Sequence, residues 1–302
     1  MINLHRGVIS LAQLAPVERT VNQTPAIRRM VSRFIAGDNL ADALRVATAL
    51  QQDGIDSALD LLGENVSHED EARRAADGYI DVIAGAHAAG LRSVYASVKL
   101  TALGLDISKD LATANLVRIL ESSSEAFVRV DMEASAYTEA TVEIVTGLHR
   151  HYPNLGIVLQ SYLYRTDADI EEMIERRIPV RLVKGAYAEP STVAYPKKSD
   201  VDNAYRRQLA RLLDAKHPTA VASHDPEMIY EAKRLMREKK VDNDLVEFQM
   251  LLGIRSDLTE ILKEEGYRVR TYIPFGSHWY PYFVRRLAER PANLFFILKN
   301  LR

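Results

Sequence analysis

PVRLVKGAYAEPSTVAYPKKSDVDNAYRRQLARLLDAKHPTAVASH, residues 179–224, reads as a complete strand–helix–strand unit. Its first run, 179–184 (PVRLVK), and its last, 219–224 (TAVASH), are short, rich in apolar and β-branched residues, and end at turn-forming Gly185 or Asp225-Pro226, as strands do. Between them, SDVDNAYRRQLARLLDAK places its apolar residues at helical spacing. A helix of that length is the crossover that returns a chain to the same edge of a sheet, so the two strands are predicted to run parallel.

The same alternation continues in both directions. Strand-like runs fall at 55–61 (IDSALDL), 93–100 (SVYASVKL), 127–132 (FVRVDM), 156–162 (GIVLQSY), 245–251 (LVEFQML) and 268–274 (RVRTYIP), with helical stretches such as EARRAADGYIDVIAGAHAAG between them. Eight strand–helix units predict an α/β fold closed as a (β/α)8 TIM-like barrel, with a doubly wound open sheet as the alternative. Residues 1–50 contain helical stretches before the first strand and read as an appended N-terminal helical region, leaving 51–302 as the barrel domain.

Barrels of this kind gather functional groups at the C-terminal ends of their strands. Those ends carry Asp60 and Glu64, Lys99, Asp131, Gln160, Arg181 with Lys184, His224, Gln249 and Tyr272. Singly, each has a plain reading: Lys99 as an ion-pair partner, Asp131 as a satisfied carboxylate, Arg181 and Lys184 as a salt-bridged strand terminus, His224 as a structural histidine. Together they suggest a site for an anion-rich ligand. Gly185 allows a ligand close to the backbone beside the two cations, and Ser223 precedes His224 at a turn.

Composition narrows the chemistry. The chain has 302 residues, is 47% hydrophobic and carries a formal charge of −2, which offers no global attraction to nucleic acid or to an acidic membrane. It contains no cysteine, so disulfides, thiolate ligands and a cysteine nucleophile are excluded, in keeping with a cytoplasmic protein. No apolar run approaches the ~20 residues of a membrane span, and the first residues lack the apolar core of a signal peptide. HExxH is absent and His149 and His151 point apart on a helix, so no metal site is expected. GxGxxG, the Walker loop and GxSxG are absent as well, leaving any nucleotide to bind the barrel itself.

The last helical stretch, SHWYPYFVRRLAER, follows strand eight, with Ser277 as its expected N-cap and an end near Glu289. Arg285 and Arg286 are about 100° apart around a helix and can converge on one carboxylate, with Glu289 steadying their stems. An exposed helix laced with ion pairs is the other reading of that charge run.

In chain order, the motifs DLLGE (60–64), SVKLTAL (97–103), VDMEA (130–134), LQSYL (159–163), RLVKGAY (181–187), EFQMLLG (247–253), YIPFG (272–276) and YFVRRLAER (282–290) resemble those of the proline dehydrogenase family, across nearly the whole barrel. The resemblance implies a distorted (β/α)8 barrel with FAD over the strand ends and a last helix that caps the substrate. It implies oxidation of L-proline to Δ1-pyrroline-5-carboxylate by hydride transfer to the flavin, the first step of proline degradation to glutamate. Electrons would pass to a quinone, with peripheral membrane association possible and the oligomeric state open. By position, Lys99, Arg285 and Arg286 would bind the proline carboxylate, while Tyr272 and Tyr282 would wall its ring. Met132, Gln160, Arg181, Lys184, Gly185, Ala186, Ser223 and His224 would contact FAD, Asp131 and Arg181 would serve the chemistry, and Glu64 would pair with Arg285 as a gate. Ala188 departs from the tryptophan common in long bifunctional relatives, and the chain resembles the short, monofunctional bacterial type. Two other functions fit some of these residues. One is a Schiff-base aldolase using Lys99 or Lys184; the other is a non-catalytic barrel that binds a small acid.

Overall fold

A computed structural model describes residues 28–29, 31–91, 93–122 and 125–288, and for 285–288 the backbone alone. Eight parallel strands, β1 (Asp56–Leu61), β2 (Val94–Val98), β3 (Val128–Val130), β4 (Leu155–Gln160), β5 (Val180–Val183), β6 (Thr219–Ala222), β7 (Val246–Leu251) and β8 (Arg268–Phe275), close in sequence order into a barrel. Closure is made by β1 against β8, with Asp56 opposite Arg270 and Leu61 opposite Phe275. The open-sheet alternative is thereby excluded. Each expected strand overlaps an observed one.

Helices α1 (Leu40–Gln52), α2 (Glu69–Ala88), α3 (Lys109–Ser122), α4 (Ser135–His149), α5 (Thr166–Arg176), α6 (Lys198–Asp214), α7 (Pro226–Glu238) and α8 (Ser256–Glu264) surround the barrel, and α9 (Tyr280–Ala288) follows β8. Local sequence explains several of their ends. Asp225 accepts from the Glu227 N–H at 3.0 Å with Pro226 in the first turn, which fixes the start of α7 through an N-cap worth about 1 kcal/mol. Asn39 caps α1 in the same way. Ser277 is not the cap of α9, because its hydroxyl turns to the His278 ring and the helix begins three residues later. None of the described helices is long and apolar enough to cross a membrane.

The main hydrophobic core lies between strands and helices, built from outward residues such as Val98, Val128, Val130, Leu182 and Phe248 and inward helix faces such as Tyr79, Leu116 and Leu209, all buried. Sequestering each large aliphatic there contributes about 1.5–3 kcal/mol. A second cluster sits at the C-terminal end of the barrel, where Val31, Phe34 and Ile35 pack against Trp279, Tyr280, Tyr282, Phe283 and Val284. Backbone hydrogen bonds from Ala36 to Pro274 and from Gly276 to Gly37, both 2.9 Å, tie this early segment to the end of β8. The approach is close: a Cβ on Gly253, whose φ is +72°, would stand 1.8 Å from the Arg33 carbonyl oxygen.

Candidate active site

A cavity of about 410 Å³ opens at the C-terminal ends of the strands. Twelve of the fifteen residues to which the resemblance gives a role face it, namely Lys99, Asp131, Met132, Gln160, Arg181, Lys184, Gly185, Ala186, Ser223, His224, Tyr272 and Tyr282, as do the strand-end residues Asp60 and Gln249. Glu64 instead faces an adjoining cavity of about 660 Å³ whose wall also includes Lys99 and Tyr282. Arg285 and Arg286 lie on α9, but their side chains, like all of Glu289, lie outside the described residues. Ala188 is exposed and contributes no wall to the cavity.

Asp131 organises the floor. Its Oδ1 accepts from Ser97 Oγ at 2.6 Å and from Arg181 Nη1 at 2.7 Å. Oδ2 accepts from the Tyr272 hydroxyl at 2.7 Å and faces Lys99 Nζ at 3.9 Å. Burial alone would push this carboxyl up, but Arg181 and Lys99 hold it below the ordinary carboxylate range. Asp131 is therefore an anion between two buried cations.

Lys99 also pairs with the buried Asp60. Burial pulls its amine down, yet Asp60 and Asp131 more than offset this, and it stays well above the ordinary lysine value. A lysine so firmly protonated is a poor nucleophile. Tyr272 is pushed well up, by burial and then by Asp131 and Asp60, so it keeps its proton and donates it. Its ring also covers the Arg181 guanidinium at 5.2 Å.

On the opposite wall Lys184 is cradled by Asp202 and by Asp225 Oδ2 at 2.6 Å, so the salt-bridged reading of this strand end holds and the lysine still lines the cavity. Gly185, which lines the cavity, has φ +115°, and a Cβ there would strike the Tyr162 ring at 2.4 Å, so this turn takes only glycine. His224 Nε2 accepts from the Leu251 N–H at 2.9 Å, placing the proton of a neutral ring on Nδ1. Gln160 donates to the Met132 carbonyl at 3.3 Å, while its buried Oε1 has no hydrogen-bond partner among the described residues.

Beside the floor, burial pushes the Glu133 carboxyl up to about 7, against hydrogen bonds from the Thr101 hydroxyl and N–H. Between its ordinary value of 4.5 and about 7, the folded protein keeps a proton that the unfolded chain has released. Stability should therefore fall as pH rises through that window, by on the order of 1–3 kcal/mol. Glu133→Gln should flatten that slope in urea titrations across the window; an unchanged slope would refute the assignment.

Arg181 does not sit at a strand tip. It lies inside the barrel, 4% exposed, and reaches Gln249 Oε1 through Nε at 2.5 Å and the Tyr95 hydroxyl through Nη2 at 3.0 Å. Beneath it lies a polar layer absent from the sequence reading: Tyr95, Arg129, Glu247 and Arg270, all buried. The signal was strand parity. Residues 95, 97 and 99, 129 and 131, 247 and 249, and 270 and 272 are alternate positions on four strands, all polar, whereas 96 and 98, 128 and 130, 246 and 248, and 269 and 273 are aliphatic or aromatic.

A family model described as proline dehydrogenase matches residues 43–298. The chain belongs to the proline dehydrogenase family. It is 40% identical to the proline dehydrogenase of Deinococcus radiodurans, over 98% of this chain and 97% of that one. It is 39% identical to proline dehydrogenase 2 of Bacillus subtilis, over 91% of each. Among solved structures, proline utilization A from Bdellovibrio bacteriovorus, inactivated by N-propargylglycine, superposes with a TM-score of 0.83 and 26% identity, covering 95% of this chain and 36% of that one. The chain thus spans about a third of that longer protein.

Proposed function

We propose that this protein oxidises L-proline to Δ1-pyrroline-5-carboxylate with FAD, the first step in degrading proline to glutamate. Membership of the proline dehydrogenase family supports the substrate and the oxidation. The observation that carries the reading is the cavity at the strand ends, where Lys99, Arg181 and Tyr272 converge on Asp131 and Lys184 lies across from them. N-propargylglycine, which inactivated the Bdellovibrio protein, shares with proline a secondary amine beside a carboxylate.

The walls suit the cofactor. Gly185 lines the cavity without a side chain, and Gln160 Oε1, which has no hydrogen-bond partner among the described residues, is an acceptor for an N–H such as a flavin edge presents. Met132, Gln160, Arg181, Lys184, Gly185, Ala186, Ser223 and His224 would hold FAD. Bound FAD would supply the hydride acceptor, flavin N5, for the hydrogen on proline Cδ. Lys99, Arg285 and Arg286 would grip the substrate carboxylate, and Tyr272 and Tyr282 would wall the ring, so that binding energy becomes orientation. Asp131 has its oxygens engaged by Ser97, Arg181 and Tyr272, which favours a role in fixing those groups over one in moving the amine proton. Arg181 supplies positive charge for an acceptor becoming anionic. A Glu64–Arg285 gate, quinone reoxidation and peripheral membrane contact belong to the same reading and rest on the resemblance. The Schiff-base alternative is disfavoured by the firmly protonated Lys99.

Anaerobic addition of L-proline to the purified protein should bleach flavin absorbance. A colourless protein, or a yellow one that proline leaves oxidised, would refute the proposal.

A further inference from the structure

Among the described residues the barrel interior carries four buried cations, Lys99, Arg129, Arg181 and Arg270, and three of them pair with a carboxylate. Lys99 pairs with Asp60, Arg181 with Asp131, and Arg270 with Glu247 at 3.0 Å, with the half-buried Asp56 adding a contact to Arg270 at the rim. Arg129 forms no salt bridge to a carboxylate among the described residues: its Nη1 donates to the carbonyls of Ile157 and Pro179 at 3.2 and 3.1 Å. A guanidinium cannot shed its proton to escape burial, so it requires an anion nearby.

The group closest to filling that role is Tyr95. Its ring lies 5.7 Å from the Arg129 guanidinium carbon, 4.4 Å from that of Arg270 and 6.0 Å from that of Arg181. The hydroxyl meets donors: Arg181 Nη2 at 3.0 Å and Gln249 Nε2 at 2.7 Å. The Gln249 amide cannot be turned to offer its oxygen instead, because Arg181 Nε already requires Oε1 and the Glu247 carboxylate requires Nε2. Among the described residues no acceptor meets the Tyr95 proton, in contrast to Tyr272, which donates to Asp131 on the other side of Arg181.

We propose that Tyr95 is carried as the phenolate at neutral pH, the counter-anion of Arg129 and a positioning residue that holds the inner edge of Arg181. Facing it are Arg129 on β3, with the Phe127 ring edge-on just before that strand, Arg181 on β5, Glu247 and Gln249 on β7, and Arg270 on β8, and the cavity of about 330 Å³ that Tyr95 lines is also lined by Glu125, Asp244 and Arg268. Of the carboxylates, Glu247 opposes the ionisation, and its charge is already taken up by Arg270. Burial by itself would push the phenol up, but Arg181 and Arg129 outweigh it and Tyr95 ends below the ordinary tyrosine value. Ionisation gives Arg129, like the other three buried cations, an anionic neighbour.

The inference does not depend on which substrate or cofactor occupies the cavity, and neither does its test. The protein as purified is labelled with tyrosine carrying ¹³C at Cζ, whose resonance moves downfield when the phenol ionises. Of the fourteen tyrosines, one should resonate at the tyrosinate position at pH 7. Tyr95→Phe should remove that line. Arg129→Met, which withdraws the unmatched cation and serves should Tyr95→Phe fail to fold, should return it to the phenol position at the same pH. Fourteen phenol resonances in the wild-type protein at pH 7, or a tyrosinate line that survives Tyr95→Phe, would overturn the proposal.

Discussion

Replacing Asp131 with alanine should abolish proline-dependent turnover and cost the folded protein about 3–5 kcal/mol, the usual penalty for breaking a buried ion pair. The size follows from its partners. Arg181 Nη1 would lose its acceptor at 2.7 Å and Tyr272 its acceptor at 2.7 Å, while Lys99 would lose one of its two carboxylates. An uncompensated guanidinium inside the barrel cannot neutralise itself. Asp131→Asn should be intermediate: it preserves the shape, but its amide N–H₂ must face Arg181 or Tyr272, which are both donors. The native carboxyl titrates below the ordinary carboxylate range, so its stabilisation is present above the unfolded value and is lost as pH falls through the folded one. The alanine variant should therefore lose part of the native protein's acid sensitivity. Urea midpoints at several pH values, with dye-linked turnover, measure both effects; wild-type stability and activity in Asp131→Ala would refute the hub.

For Arg286→Ala, transition-state stabilisation should fall by about 2–4 kcal/mol, a roughly 30- to 1000-fold loss in kcat/KM. The carboxylate of proline keeps its charge throughout the reaction, so much of the loss should appear as weaker binding. Part should appear in the rate of flavin reduction, because a loosened carboxylate leaves the ring misplaced. Arg286→Lys keeps the charge but not the planar fork and should recover only part of the affinity. Stopped-flow reduction across a proline series separates the two terms. Affinity and reduction rate both near wild type in the alanine variant would sink the carboxylate role.

Barrel closure and the site differ in how far they were legible from sequence. The eight strands were visible because each is a short apolar run between turn residues, and β–α alternation constrains topology strongly. The rim of the site was visible through chemistry-bearing residues at strand ends, such as Lys99 and Asp131. What lay deeper was not. Tyr95, Arg129, Glu247 and Arg270 occupy strand positions that an assumption of an aliphatic barrel interior passes over, although their alternation with Val94, Ala96, Val128, Val130, Val246 and Phe248 marks one face of each strand as polar. Nor could spacing along the chain show that Val31, Phe34 and Ile35 pack against α9. That contact joins distant parts of the sequence, and nothing in local periodicity reports it.

The same contact sets a timetable. A chain made at about 5–20 residues per second would expose Phe34 and Ile35 for roughly 10–50 s before Trp279 and Phe283 are synthesised. Throughout that interval most of the strands can pair with the neighbour just completed, since the barrel closes in sequence order, but the early apolar segment lacks the aromatic part of its native surface, which α9 and Trp279 supply. The roof over the cavity can thus form only after all eight strands have been made, and a nascent chain stalled before α9 would display that sticky segment to the rest of the cell.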